Sequence, residues 1–383
     1  MRICLVYDCL FPHTVGGGEH WYRGVADRLS AEGHDVTYLT LRQWPRGADP
    51  GTGFRVCAVG PRLRLYTESG RRRIVPPLLF GLGVFVHLLR HGRRYDVVQT
   101  ISFPYFSLLA AGFLRRLGGF RLVVDWLELW TPAYWHDYLG RVGGWIGWRV
   151  QRACARIPQR AFCLSELHAA RLRAEGLRGE VTVLRGIHEG PAQAQVQPDV
   201  DPEDVVVFAG RHIPEKRVPA LVRALAAARV AAPELRGEIY GDGPERARVL
   251  ELVAELGLAG AVAVPGFVED ARVHAALRSA LCLVLPSRRE GYGLVVVEAC
   301  AAGTPSIVVA DPDNAATELI ENGVNGFVAP SASPRDLADA ILRVRASGRE
   351  LRASTAAWYA ANARRLSLSE SLERVAAAYR SAA

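Results

Sequence analysis

The chain has 383 residues, half of them hydrophobic, enough for two domains that each bury a core. Its formal charge is +8, and neither a low-complexity block nor an internal repeat stands out. Seven cysteines without a Cys-x-x-Cys pair speak against a disulfide framework or a thiolate metal site, and no aromatic and basic interleaving of an RNA-binding kind is present.

Ile3–Tyr7 reads as a strand at the very start, so no leader peptide is expected and a reducing cytoplasm fits the cysteine usage. Gly16, Gly17 and Gly18 follow, then helical spacing from Glu19 to Glu32, closed by Gly33. Val36–Leu39 is the next strand. The most apolar stretch, Ile74–Leu89, contains Pro76, Pro77, Gly81 and Gly83 and falls short of the roughly 20 residues of a spanning helix. Arg71, Arg72 and Arg73 precede it, and Arg90, Arg93 and Arg94 follow it. That pattern suits either peripheral docking on an anionic membrane or a buried helix with basic ends. Strands at Val97–Thr100, Leu122–Asp125, Ala161–Leu164 and Val181–Leu184 complete a strand–helix alternation, which implies a parallel sheet covered on both faces.

Glu189–Asp204 is polar, Pro-containing and aperiodic, the best linker in the chain. The pattern restarts with Val205–Ala209 and continues through Glu238–Tyr240, Val262–Val264, Cys282–Leu285 and Ser306–Val309, before a last helix over Leu366–Arg380. Residues 1–190 hold 26 arginines against 15 acids, a balance of +11, and the remainder carries −3. The expectation is an α/β chain of two Rossmann-like domains, 1–190 and 191–364, facing each other across a cleft into which the strand ends converge.

Against 46 arginines stands one lysine, Lys216, and there are only four asparagines. Where charge alone matters this chain uses Arg, so the surviving Lys marks a place for a compact point charge. Lys216 closes Gly210-Arg211-His212-Ile213-Pro214-Glu215-Lys216, a strand-to-helix loop whose two cations suit a diphosphate. The strongest signal is Glu290-Gly291-Tyr292-Gly293-Leu294-Val295-Val296-Val297-Glu298. A helix starting near Gly293 would offer free N–H groups to phosphate, and Glu298 on an otherwise apolar helix needs a partner such as ribose hydroxyls. Gly16-Gly17-Gly18 serves either a phosphate or a plain turn. Gly266 and Phe267, at a strand end, suit a base edge, with core packing the alternative for the ring. Tyr240–Glu245 is a tight turn, and Glu321–Val328, with Asn322 and Asn325, a turn needing left-handed backbone at Asn or Gly.

Together these segments resemble glycosyltransferase family 4, the retaining GT-B enzymes, over nearly the whole chain and most strongly from Val205 to Pro330. The resemblance implies that Arg211 and Lys216 bind the donor diphosphate, Glu290 meets the transferred sugar and Glu298 the ribose. It further implies that Gly291, Tyr292, Gly293 and Leu294 hold phosphates and hydroxyls, and that Gly16 and Gly17 lie near phosphate and acceptor. The last helix, 365–383, would pack back on the first domain. The implied reaction is metal-free transfer of a sugar from a nucleoside diphosphate, UDP before GDP, to a glycan, lipid-linked or small-molecule acceptor, without a bound cofactor. One departure stands out: after the strand ending at Asp125 the family's usual His is missing, and the aromatic loop Trp126–Trp135 takes its place. Asp125 and Glu128 are therefore candidate cleft residues, with structural packing of that loop as the alternative. A nucleotide-sugar epimerase or a non-catalytic sugar-binding relative are the competing readings; a dinucleotide oxidoreductase lacks its Gly-x-Gly-x-x-Gly.

Overall fold

A computed structural model describes residues 1–14, 16–45, 47–65, 67, 72–190 and 202–381. Arg71 and most of the linker read from Glu189 to Asp204 lie outside the described residues. The described residues divide into two units: the first takes those up to Ile187 and from Leu368 onward, the second His188–Ser367.

Unit 1 contains β1 (Arg2–Val6), α1 (Gly17–Ala31), β2 (Asp35–Leu41), β3 (Arg55–Gly60), α2 (Val75–His91), β4 (Val97–Ile101), α3 (Tyr105–Gly118), β5 (Arg121–Trp126), α4 (Pro132–Ala155), β6 (Arg160–Cys163), α5 (Glu166–Ala174) and β7 (Val181–Val183). The strands form one parallel sheet in the order β3-β2-β1-β4-β5-β6-β7. Ile3 to Val6, Val97 and Val98 are fully buried, because helices cover both faces of such a sheet and its strands then read as unbroken apolar runs. β3 escaped the sequence reading: Arg55–Gly60 carries only an apolar Val-Cys-Ala-Val core, half-buried at the sheet edge.

Unit 2 repeats the plan with β8 (Glu203–Ala209), α6 (Val218–Ala228), β9 (Arg236–Tyr240), α7 (Arg246–Glu255), β10 (Val262–Gly266), α8 (Asp270–Ser279), β11 (Ala280–Leu285), β12 (Arg289–Glu290), α9 (Leu294–Ala301), β13 (Ser306–Val309), β14 (Asp313–Asn314), β15 (Gly326–Ala329) and α10 (Pro334–Leu366). Its main sheet runs β10-β9-β8-β11-β13-β15, and β12 pairs with β14 in a small ribbon beside it. β15 lies in the stretch read as a turn. There the left-handed backbone falls on Gly323 and Gly326, while the asparagines act through their side chains. Asn325 Oδ1 accepts from Glu321 N–H at 2.8 Å, its Nδ2 donates to Leu319 C=O at 2.8 Å, and Asn322 Oδ1 accepts from Val328 N–H at 2.7 Å.

The last helix, α11 (Leu368–Ser381), returns to unit 1. Tyr379 on it bonds Gln99 of β4, and Ser371 Oγ donates to Gly186 C=O at 2.5 Å.

Candidate functional site

In unit 2 the strand order reverses between β8 and β11. Ligands of open parallel sheets bind past the carboxyl ends of the strands at such a reversal. The segments leaving these two strands carry the strongest candidates of the sequence.

After β8 the chain passes through Arg211, which is exposed, into the short turn Pro214–Lys216. Lys216 Nζ meets Glu290 Oε1 in an ion pair whose side chains are 18% and 10% exposed, so two residues 74 positions apart are joined. Ser287 Oγ donates to the same Glu290 oxygen at 2.8 Å. Next to Lys216, Arg217 adopts φ 49° and ψ 38°, the one non-glycine with positive φ among the described residues. Its guanidinium bonds Asp311 Oδ2 at 3.0 Å. Glu290 sits in β12 opposite Asn314 of β14, and Asn314 Nδ2 donates to Ser287 C=O at 3.2 Å and Val309 C=O at 2.9 Å. The Lys216–Glu290 pair is therefore braced from the loops after β8, β11 and β13. Half-buried Arg289 lies beside it; desolvation pulls its guanidinium down to about 10, against the Glu290 and Asp313 carboxylates.

Gly291, Tyr292 and Gly293 then lead into α9 at Leu294. Gly293 stands at φ 99°, and a Cβ there would lie 2.8 Å from Ala316 Cβ, so turn and packing both require glycine. Gly293 at the N-cap has no side chain to cap this helix, and Val296 N–H turns back onto Gly293 C=O at 2.9 Å. Tyr292 is buried, and burial pushes its phenol upward. Half-buried Glu298 lies within α9, with His274 Nε2 of α8 at 4.0 Å. The bond with Glu298 raises His274 above its ordinary value, while burial lowers His188 nearby.

Gly266 ends β10 and accepts from Gly241 N–H at 2.8 Å, while Phe267 is 72% exposed, so its ring belongs to no core. The turn after β9 packs backbone on backbone against the Arg211 loop: His212 N–H donates to Asp242 C=O at 2.8 Å, and a Cβ on Gly241 would lie 1.9 Å from Gly210 O.

In unit 1, Gly16 and Gly17 open α1 next to the reversal between β1 and β4. The buried Glu19 carboxylate lies against Gly16. Asp125 requires a correction. It is 1% exposed, accepts from Gln99 Nε2 at 2.6 Å and lies among Trp21 and Tyr22, so it is an internal carboxyl with no surface for a substrate. Burial pushes it up to about 6. Glu128 is half-buried and accepts from Trp130 Nε1 at 3.0 Å. The aromatic loop is mostly packing: Trp126 and Trp135 are buried and donate to Gln159 at 2.8 Å and Gln151 at 3.0 Å. Among the described residues no three His, Cys, Asp or Glu side chains converge as a metal site would need.

Sequence reasoning missed Ser287, Asn314, Arg217, Asp311 and His274. Only Asn314 carried a signal, as one of four asparagines in an Asn-poor chain.

Comparison with known proteins places a family model on each unit. Residues 16–186 match the family model for a glycosyl transferase 4-like domain, and residues 191–361 that for glycosyl transferases group 1. The chain is 31% identical over 145 residues to the alpha-D-kanosaminyltransferase of Streptomyces kanamyceticus, a match spanning 38% of this chain and 37% of that one. It is 28% identical over 405 aligned residues to the MMP alpha-(1->4)-mannosyltransferase of Mycolicibacterium hassiacum, spanning 92% of this chain and 91% of that one. In structure it resembles Anabaena HepE, solved with UDP, at a TM-score of 0.74 and 19% identity over the full length of both chains, a likeness of fold.

Proposed function

The chain belongs to the family-4 glycosyltransferases of GT-B fold, and from that premise we propose that it transfers a sugar from a nucleoside diphosphate onto an acceptor hydroxyl with retention of anomeric configuration. The observation that carries this is the meeting of Lys216 and Glu290 at the strand-order reversal of unit 2, one turn before the uncapped start of α9.

As the glycosidic bond breaks, charge builds on the departing diphosphate. Lys216, Arg211 and the N–H groups of Gly291 to Leu294 are the donors available to it, pre-placed so that little reorganisation is needed. Phosphate entry replaces the Glu290 carboxylate as partner of Lys216 and frees that carboxylate for the sugar. Glu298 takes the ribose hydroxyls, and Gly266 with exposed Phe267 the base. Binding of UDP by the HepE fold relative supports UDP over GDP. No metal enters the proposal, since the cationic groups and helix amides neutralise the leaving group. The acceptor is a glycan, a lipid-linked sugar or a small molecule, and the protein works in the cytoplasm.

The test is a thermal-shift panel of UDP, GDP and their sugars, followed by donor turnover with the product anomer read by NMR. A shift with UDP and its sugars and an anomer matching the donor are expected. No shift with any nucleotide, or an inverted product, overturns the reading.

A further inference from the structure

Among the described residues, the outer face of α2 and α3 is left uncovered. α2 exposes Val75, Leu78, Leu79, Leu82 and Leu89, spaced three, four and seven residues apart on one side of the helix, and Ile74 before it is 62% exposed. α3 packs alongside and adds Phe113, 78% exposed, whose ring lies 6.1 Å from that of Phe85 on α2, so the two helices share one apolar surface. Along α2 this surface runs about 21 Å from Val75 to Leu89 at 1.5 Å per residue.

Its helices carry exposed arginines at their ends. Arg73, Arg90, Arg93, Arg94 and Arg116 are exposed around it. From residue 72 to 124 the chain has eight arginines and a single acid, Asp96, which is paired with Arg2. A protein partner of mixed surface would be met by both signs. An apolar face bordered by exposed arginines matches the headgroup-to-acyl boundary of an anionic bilayer, where arginines meet phosphate and leucines meet acyl chains.

By length and composition Val75–Arg94 would suffice to cross a bilayer, but the opposite side of α2 is locked into unit 1. A Cβ on Gly83 would lie 2.0 Å from Val59 O of β3, and one on Gly81 2.5 Å from Phe106 Cβ of α3. Phe80, Val84 and Leu88 on that side are buried. Such a helix presents one face and keeps the other in the core.

We propose that the α2–α3 face is a docking surface for an anionic lipid bilayer, seated in the interface without spanning it. It deepens the reading of the function by favouring a lipid-linked acceptor, yet uses no residue of the donor site, so UDP binding is read separately.

The experiment is flotation of the full chain with vesicles of phosphatidylcholine alone or with added phosphatidylglycerol, at low and high salt. Binding to the anionic vesicles only, lost at high salt and extractable with alkaline carbonate, is expected. Arg90→Gln/Arg93→Gln/Arg94→Gln should weaken binding on the order of a hundredfold, and Leu82→Glu/Phe113→Glu should abolish it. Both variants should keep the wild-type melting temperature and UDP shift; Leu82→Ala/Phe113→Ala serves if the glutamates disturb folding. Equal binding to neutral vesicles, resistance to carbonate, unaltered binding by folded variants, or self-association through this face without vesicle binding would each overturn the proposal.

Discussion

In the proposed transfer, Lys216 is the residue on which the chemistry rests most heavily. Removing one preorganised donor from a developing anion typically costs about 3–4 kcal/mol, so Lys216→Ala is expected to lose about 10²–10³-fold in kcat while far-UV circular dichroism stays native. Its neighbour Arg217 is a positioning residue. It holds a left-handed backbone that costs a non-glycine about 1–2 kcal/mol, and its bond to Asp311 ties that turn down. Arg217→Gly should melt no lower than wild type, yet raise the donor KM about fivefold, the worth of one partly exposed ion pair near 1 kcal/mol. Asp311→Asn should do the same, and the double variant no more than either; additive losses would separate the two residues. Asp125 calls for a pH measurement. Its carboxyl is raised to about 6 in the folded chain, so the native state holds the proton more tightly than the unfolded one. Stability should therefore fall by about 3 kcal/mol as pH rises from 4 through 6. Asp125→Asn should remove that slope in denaturant melts, and a variant with the wild-type slope would place the titration elsewhere.

At the scale of elements, what was legible depended on whether a residue's role is local. The parallel strands could be read because two-sided burial forces unbroken apolar runs, as in Val205–Ala209. The start of α9 could be read because Gly293 sits where only glycine fits. Arg217–Asp311 and Ser287–Glu290 were invisible, since each pairs ordinary residues whose meeting depends on how three loops pack. Asp125 misled because a carboxylate at a strand end looks the same whether it faces solvent or, as here, Trp21 and Tyr22 of a core helix. The turn after β9 is legible in the sequence only as a tight turn. Its glycine at φ 114° abuts the Arg211 loop, so Gly241→Ala should cost well over 1 kcal/mol and lower the melting temperature by several degrees, read by calorimetry.

For the molecule as a whole, the two units carry very different reporters. Seven of the eight tryptophans lie in unit 1; only Trp358 lies in unit 2. UDP at a hundred times its Kd adds about 2.7 kcal/mol to whatever it binds. The nucleotide should therefore raise the transition followed by circular dichroism while leaving the main tryptophan fluorescence transition in place. A joint shift of both signals would mean that the units melt as one.

One small contact has a larger consequence. His188 N–H donates to Leu366 C=O at 3.1 Å, and His188 bridges to Ser367, so the two ends of the segment 188–367 lie side by side. A segment that enters and leaves at a single point behaves as a cassette. Exchanging 188–367 for the matching piece of a relative needs only two splices, both at the same spot.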